Sequence, residues 1–125
     1  MTVSCGIDFG TTNTIAALAQ DTENPSIIIL ENGKATFPSV LFFATDGKVY
    51  FGSEALDLYI NGKLGRCMRS LKRVLGTDLM SSGTYINNKK VSFIDILSCF
   101  LRNVKSKIDD EAGCSVENVV LGRPV

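Results

Sequence analysis

The chain has 125 residues, 45% of them apolar, which is enough for one ordinary domain with a buried core. Lys and Arg together number 13 and Asp and Glu 13, so the net charge is zero and nothing indicates a general electrostatic hold on nucleic acid or acidic membrane. Aromatic content is 8% with no Trp, which argues against a base-stacking surface, and the absence of His removes the commonest general base and metal ligand together. Any catalysis therefore falls to carboxylates, hydroxyls, amines, backbone amides or a metal held by oxygen.

Cys5, Cys67, Cys99 and Cys114 form no C-x-x-C pair and no zinc spacing. Cys5 and Cys99 stand in apolar surroundings and are expected as buried small hydrophobes, the whole set as reduced thiols of a cytoplasmic protein. The start, Met1-Thr2-Val3-Ser4, runs straight into a strand pattern without the charged and apolar regions of a signal peptide. The longest apolar runs, such as Ile27-Ile28-Ile29-Leu30, are too short to span a bilayer.

In chain order, Val3 to Phe9 and Thr14 to Leu18 read as strands, with the turn-forming Gly10-Thr11-Thr12-Asn13 between them as a hairpin. Ser26 to Leu30 reads as a third strand, followed by a turn at Glu31-Asn32-Gly33-Lys34. Val40 to Ala44 and Lys48 to Phe51 flank Thr45-Asp46-Gly47, a second hairpin signal. Ser53 is the expected N-cap of a short helix to Ile60, closed by Asn61-Gly62. A basic run with no acid follows: Lys63, Arg66, Arg69, Lys72 and Arg73. Ser70 to Leu75 reads as about one helical turn stopped at Gly76. Thr84 to Lys90 is a weak strand pair turning at Asn87-Asn88.

Ser92 to Ala112 is the clearest helix. Phe93, Ile96/Leu97, Phe100/Leu101, Val104 and Ile108 recur with a 3.6-residue period, Ser92 and Asp95 have capping-box spacing, and Gly113 supplies the stop. Asp109-Asp110-Glu111 reads as a solvated helix end. Val116 to Leu121 reads as a buried strand, which a helical crossover returns parallel. The pattern is an α/β layer: antiparallel hairpin strands, an inserted small α+β piece, a long helix and a parallel strand.

The chemistry concentrates in Asp8-Phe9-Gly10-Thr11-Thr12-Asn13. Phosphate binding needs backbone amides turned toward one point, and Gly10 removes the Cβ obstruction. Thr11 and Thr12 add hydroxyl donors. Asp8 at the strand end can hold Mg²⁺ directly or through its waters. Taken alone, the same six residues also suit an ordinary hairpin turn, and Lys72 and Arg73 a solvated basic face.

The wider sequence resembles the seventy-kilodalton heat-shock (DnaK-type) chaperone family. Gly6-Ile7-Asp8-Phe9-Gly10-Thr11-Thr12-Asn13-Thr14 resembles its first phosphate motif. Thr36-Phe37-Pro38-Ser39-Val40, Tyr50-Phe51-Gly52-Ser53-Glu54-Ala55 and Ser70-Leu71-Lys72-Arg73-Val74-Leu75-Gly76 resemble later family segments, in order. The resemblance covers essentially the whole chain. It implies an actin-like, ribonuclease H-like ATPase lobe, with residues 1–37 and 91–125 as a core subdomain and 38–90 as an insert. It also implies ATP or ADP with Mg²⁺ as cofactors. Asp8 would position the Mg²⁺ shell, Gly10, Thr11, Thr12 and Asn13 would cradle the β- and γ-phosphates, and Lys72 would face the γ-phosphate during attack by water. Arg73 would lie near the nucleotide or a lobe contact. Pro124 falls where the family has a proline tied to interdomain signalling. Its neighbours Leu121-Gly122-Arg123 depart from the family's Val-Pro-Ala-Tyr, as in a divergent bacterial branch.

The implied function is ATP hydrolysis coupled to protein folding in a full-length parent, with unfolded polypeptides, a co-chaperone and a nucleotide exchange factor as partners. The sequence holds one phosphate loop and the candidate lysine, without a second glycine-rich loop or an adenosine pocket. It reads as a fragment expected to lack meaningful ATPase activity alone and to self-associate through the strand near Val119-Val120-Leu121. Alternatives are an actin-like or sugar-kinase-like ATP-binding protein, or a non-catalytic heat-shock-like scaffold.

Overall fold

A computed structural model describes residues 2–21, 24–31 and 33–122. The first hairpin forms as expected. Strand β1 (Val3–Phe9) pairs antiparallel with β2 (Asn13–Gln20), from Val3 opposite Gln20 to Phe9 opposite Thr14. The third strand is shorter than the sequence implies. Only β3 (Ser26–Ile27) joins the ladder beside β2, and one further bond, Ile28 N–H to Ala16 O at 2.9 Å, extends it. Alternation persists beyond the pairing: Ile28 and Leu30 are buried while Ile27 and Ile29 are exposed. The apolar pattern thus reports burial here, not a ladder.

The chain returns to β2 through β4 (Phe37–Pro38). Next come β5 (Val40–Ala44) and β6 (Val49–Phe51), the expected Asp-Gly hairpin, and helix α1 (Gly52–Ile60). Ser53 is not the N-cap of α1; Phe51 occupies that position without a side-chain cap. The free amide is satisfied from a distance instead. The Glu31 carboxylate accepts Ser53 N–H at 2.7 Å and Ser53 Oγ–H at 2.6 Å. An acid at a helix start also meets the positive end of its dipole.

The basic run conceals a strand. Residues Gly65–Arg69 form β7, antiparallel to β5 along its whole length, from Val40 opposite Arg69 to Ala44 opposite Gly65. It is an edge of the three-stranded sheet β6-β5-β7, and charged side chains are characteristic of protected edges. A 3₁₀ turn, Leu71–Val74, follows, and another covers Asp78–Ser81. Strands β8 (Gly83–Ile86) and β9 (Lys89–Ser92) form the expected pair. Asn87 and Asn88 turn between them with φ of 50° and 64°, the left-handed values such a two-residue turn requires.

Helix α2 (Phe93–Ala112) matches its periodicity. Ser92 Oγ accepts Asp95 N–H at 3.1 Å, and Gly113 closes the helix at φ 74°. Ile96, Leu97, Phe100, Val104 and Ile108 are buried against Cys5, Ile7, Phe9 and Ala16 of the main sheet. The same apolar cluster continues into Leu41, Met68, Leu71 and Ile86. A smaller cluster of Val40, Phe42, Ala44 and Ala55 lies between α1 and the three-stranded sheet.

After the helix, β10 (Asn118–Gly122) lies parallel to β1, as the crossover rule requires. It is not buried. Val119, Val120 and Leu121 are exposed by 44%, 71% and 48%. The strand is the edge of the sheet order β10-β1-β2-β3, so hydrophobicity alone misjudges its environment. Arg123 and Pro124 lie outside the described residues.

Candidate phosphate-loop site

The turn between β1 and β2 is closed by Gly10 N–H donating to Asn13 O at 2.9 Å. A Cβ on Gly10 would stand 2.4 Å from that same carbonyl oxygen, so a side chain cannot be accommodated without opening the turn. The segment at β4 clamps it from the side. Asn13 and Thr14 pair with Pro38 and Phe37, and Ser39 N–H donates to Thr12 O at 2.9 Å. Ser39 Oγ–H donates to Gly10 O at 2.9 Å, which commits its one proton. The buried Thr14 hydroxyl, 2.8 Å away, is therefore the donor to Ser39 Oγ. Both buried hydroxyls are satisfied, and together they hold the loop backbone.

What this scaffold presents is a donor-rich tip. Thr11, Thr12 and Asn13 are exposed, and neither the Thr11 nor the Thr12 amide donates to a backbone carbonyl among the described residues. These three residues line a cleft of about 230 Å³ together with Ser39, Arg69 and Ser70. Ser70, at φ 59°, turns the chain from the end of β7 into the 3₁₀ turn that carries Lys72. Lys72 is half-buried on that turn and is not part of the cleft lining. Asp8 projects from the opposite face of β1 to Ile7 and Phe9. It borders a shallow groove with Ile15, Val120 and Gly122, separate from the cleft of Thr11–Asn13. Its register partner on β10 is Gly122, where even an added Cβ would only reach ordinary contact with the carboxylate.

A larger cavity, about 630 Å³, lies elsewhere, lined by residues 29–31, Gly33 and Lys34 together with parts of β6, α1 and α2. Its Glu31 is already engaged by Ser53, and Lys107 sits 5.3 Å above the Phe37 ring. It contains none of the residues marked by the phosphate-loop pattern.

Away from the loop, two electrostatic features are structural. Burial pushes the thiols of Cys5, Cys67 and Cys99 above their ordinary range, so they stay protonated and poorly nucleophilic near neutrality. Cys5 is fully buried as expected; Cys99 is only half-buried. Asp109 is not merely a solvated acid at a helix end. Its Oδ1 accepts Lys105 Nζ–H at 2.7 Å and Val116 N–H at 2.9 Å, tying the end of α2 to the segment entering β10. Those two bonds hold its carboxyl below the usual range, the Lys105 bond contributing most.

A lowered folded-state pKa stabilises above the unfolded value, about 4 for Asp, and the contribution is lost as pH falls through the folded value. Asp109→Asn is thus expected to cost about 1 kcal/mol at pH 7 in urea unfolding, the partial exposure of the pair keeping the figure small. The gap between parent and variant should shrink as the pH falls below about 4.

The sequence pattern marks Asp8, Gly10, Thr11, Thr12, Asn13 and Lys72. It leaves Arg69 inside a basic run and gives Ser39 no role. The signal that could single out Arg69 is its place directly after the apolar Met68, which is buried while Arg69 is exposed; for Ser39 only the fold reveals the contact.

The geometry defines a class: a mixed α/β lobe with a glycine-closed hairpin turn, a long crossover helix and a parallel return strand. The chain belongs to the Hsp70 protein family, whose model matches residues 4–125. The chaperone protein DnaK of Mycoplasmopsis agalactiae is 33% identical over 124 residues, covering 98% of this chain and 19% of that protein. DnaK of Metamycoplasma hominis is 32% identical over 119 residues, and DnaK of Thermosipho melanesiensis 29% over 120, each with 95% of this chain covered. The chain spans 19% of the length of these curated relatives. Among the described residues, no helix is long and apolar enough to cross a membrane.

Proposed function

We propose that this chain supplies the first phosphate-binding wall of an Hsp70-type chaperone ATPase, on an actin-like lobe. Residues 1–37 and 91–125 form its core subdomain and 38–90 an insert. In a protein of the relatives' length, ATP hydrolysis in the cytoplasm drives cycles of binding and release of unfolded polypeptides, assisted by a co-chaperone and an exchange factor. The single observation that carries the reading is the Gly10 turn, braced by Ser39, with Thr11, Thr12 and Asn13 lining an open cleft. Such a tip offers hydroxyl and amide donors to phosphate oxygens without reorganisation.

The residues present suit ATP or ADP with Mg²⁺. Asp8 is an exposed carboxylate, and no cluster of three or more metal-ligating side chains occurs among the described residues. That donor set matches Mg²⁺ carried mainly by phosphate oxygens and water, which when bound neutralises phosphate charge. Asp8 would orient the cation's waters, Gly10 to Asn13 would hold the β- and γ-phosphates, and Lys72 would stabilise charge on the transferred phosphoryl group.

The test is titration of the 125-residue chain with Mg·ATP and with magnesium tripolyphosphate, followed by ³¹P NMR. Both ligands should show shifted or broadened phosphate resonances. Thr11→Val combined with Thr12→Val should weaken binding about tenfold, as expected for lost hydrogen bonds to a charged group. Unperturbed resonances at millimolar ligand would overturn the reading.

A further inference from the structure

The cleft beside the loop has a charge that the phosphate-loop pattern does not account for. Its lining is Thr and Asn from the turn, Pro38 to Val40, Leu56 from α1, and Arg69 and Ser70 from the end of β7. Arg69 is the one formally charged side chain in that lining, and no carboxylate joins it. Strand alternation sets this arrangement. Met68 turns into the main core, so Arg69 turns to the other face of the sheet, the one that carries α1, opposite Val40 in the β5–β7 ladder, and stays exposed at the strand end. Its guanidinium carbon lies 5.7 Å from the centre of the Tyr59 ring on α1. An aromatic face restrains a guanidinium without neutralising it. The one ion pair among the described residues is Lys105–Asp109, so no acid competes for Arg69 there.

A cleft with one restrained cation, the hydroxyls of Thr11, Thr12 and Ser70, and no acid favours an anion with several oxygens. Arginine suits that task better than lysine because its planar fork bonds two oxygens of one phosphate. We propose that Arg69 is a phosphate-binding residue of this site, gripping the polyphosphate chain across the cleft from Thr11–Asn13. This rests on the phosphate-loop reading above. It divides the cations by role: Arg69 anchors the phosphate chain, and Lys72, on the following turn, is left to act on the transferred group.

The experiment compares the 125-residue chain with Arg69→Ala and Arg69→Lys in titrations with magnesium tripolyphosphate at several salt concentrations. Circular dichroism checks that each variant is folded; the side chain is exposed, so its truncation leaves the core intact, and Arg69→Lys supplies a second folded comparison. Arg69→Ala should weaken binding about tenfold and flatten its salt dependence, with Arg69→Lys between the two. If the parent binds and Arg69→Ala binds equally with the same salt dependence, the role of Arg69 is overturned while the phosphate-loop reading stands. If the parent itself binds no tripolyphosphate, both fall.

Discussion

Phe100→Ala is expected to lower the free energy of unfolding by about 4 kcal/mol, the largest effect of any single core truncation in α2. Phe100 is fully buried at the centre of the helix face. Its ring lies 5.6 Å from that of Phe9 and 5.9 Å from that of Phe37, both tilted. It therefore joins three parts of the chain: β1 just before the phosphate turn, β4 just beside it, and the crossover helix. Truncation leaves a cavity that rigid strands on one side cannot fill, and the two remaining rings each lose an aromatic neighbour. A domain of this size has a total stability of roughly 5–15 kcal/mol, so the variant should be partly unfolded at moderate temperature. Phe100→Leu keeps most of the volume and should cost about 1 kcal/mol. Urea unfolding of the two variants side by side is the check; equal losses would mean the site is less tightly packed than its burial indicates.

The second large effect is at the turn itself. Gly10→Ala should cost about 3 kcal/mol and weaken tripolyphosphate binding by more than tenfold. The new methyl group would meet Asn13 O at 2.4 Å, and that oxygen is a backbone atom of a residue paired with Pro38 of β4, with no rotamer to move. Opening the turn breaks the Gly10 N–H bond to Asn13 O and strains the Ser39 bond to Gly10 O. The Ser39 bond belongs to a chain of two buried hydroxyls, Thr14 and Ser39, whose members are costly to leave unpaired. Loss of stability with unchanged tripolyphosphate affinity would show that the turn is a structural hairpin only. The two substitutions separate core from site. Phe100→Ala destabilises from beneath the loop, while Gly10→Ala alters the loop's own backbone.

The elements legible in the sequence are those whose information is local. Helix α2 is readable because Phe93 to Ile108 repeats at the helical period and both its caps, Ser92 and Gly113, are adjacent in sequence. The Asn87-Asn88 turn is readable because two residues in left-handed conformation favour Asn. Strand β7 is hidden because an edge strand buries few side chains, and its arginines resemble a solvated surface. Ser53 looks like the cap of α1, yet the carboxylate that satisfies the helix start comes from Glu31, 22 residues earlier. The environment of β10 escapes a sequence reading because apolar content does not say whether anything packs on the exposed face of an edge strand.

By itself, the sequence determined the order of hairpin, crossover helix and parallel return, and the residue types at the candidate phosphate turn. Those follow from short-range periodicity, capping and the steric freedom of glycine. Only the tertiary structure decided that Ser39 and Thr14 brace the turn, that Asp8 and Thr11–Asn13 border different surfaces, and that Arg69 faces the cleft. Each of these depends on which strands lie side by side and on which face a side chain emerges. Those are long-range pairings, chosen by burial of the whole apolar set and invisible in any short window of the chain.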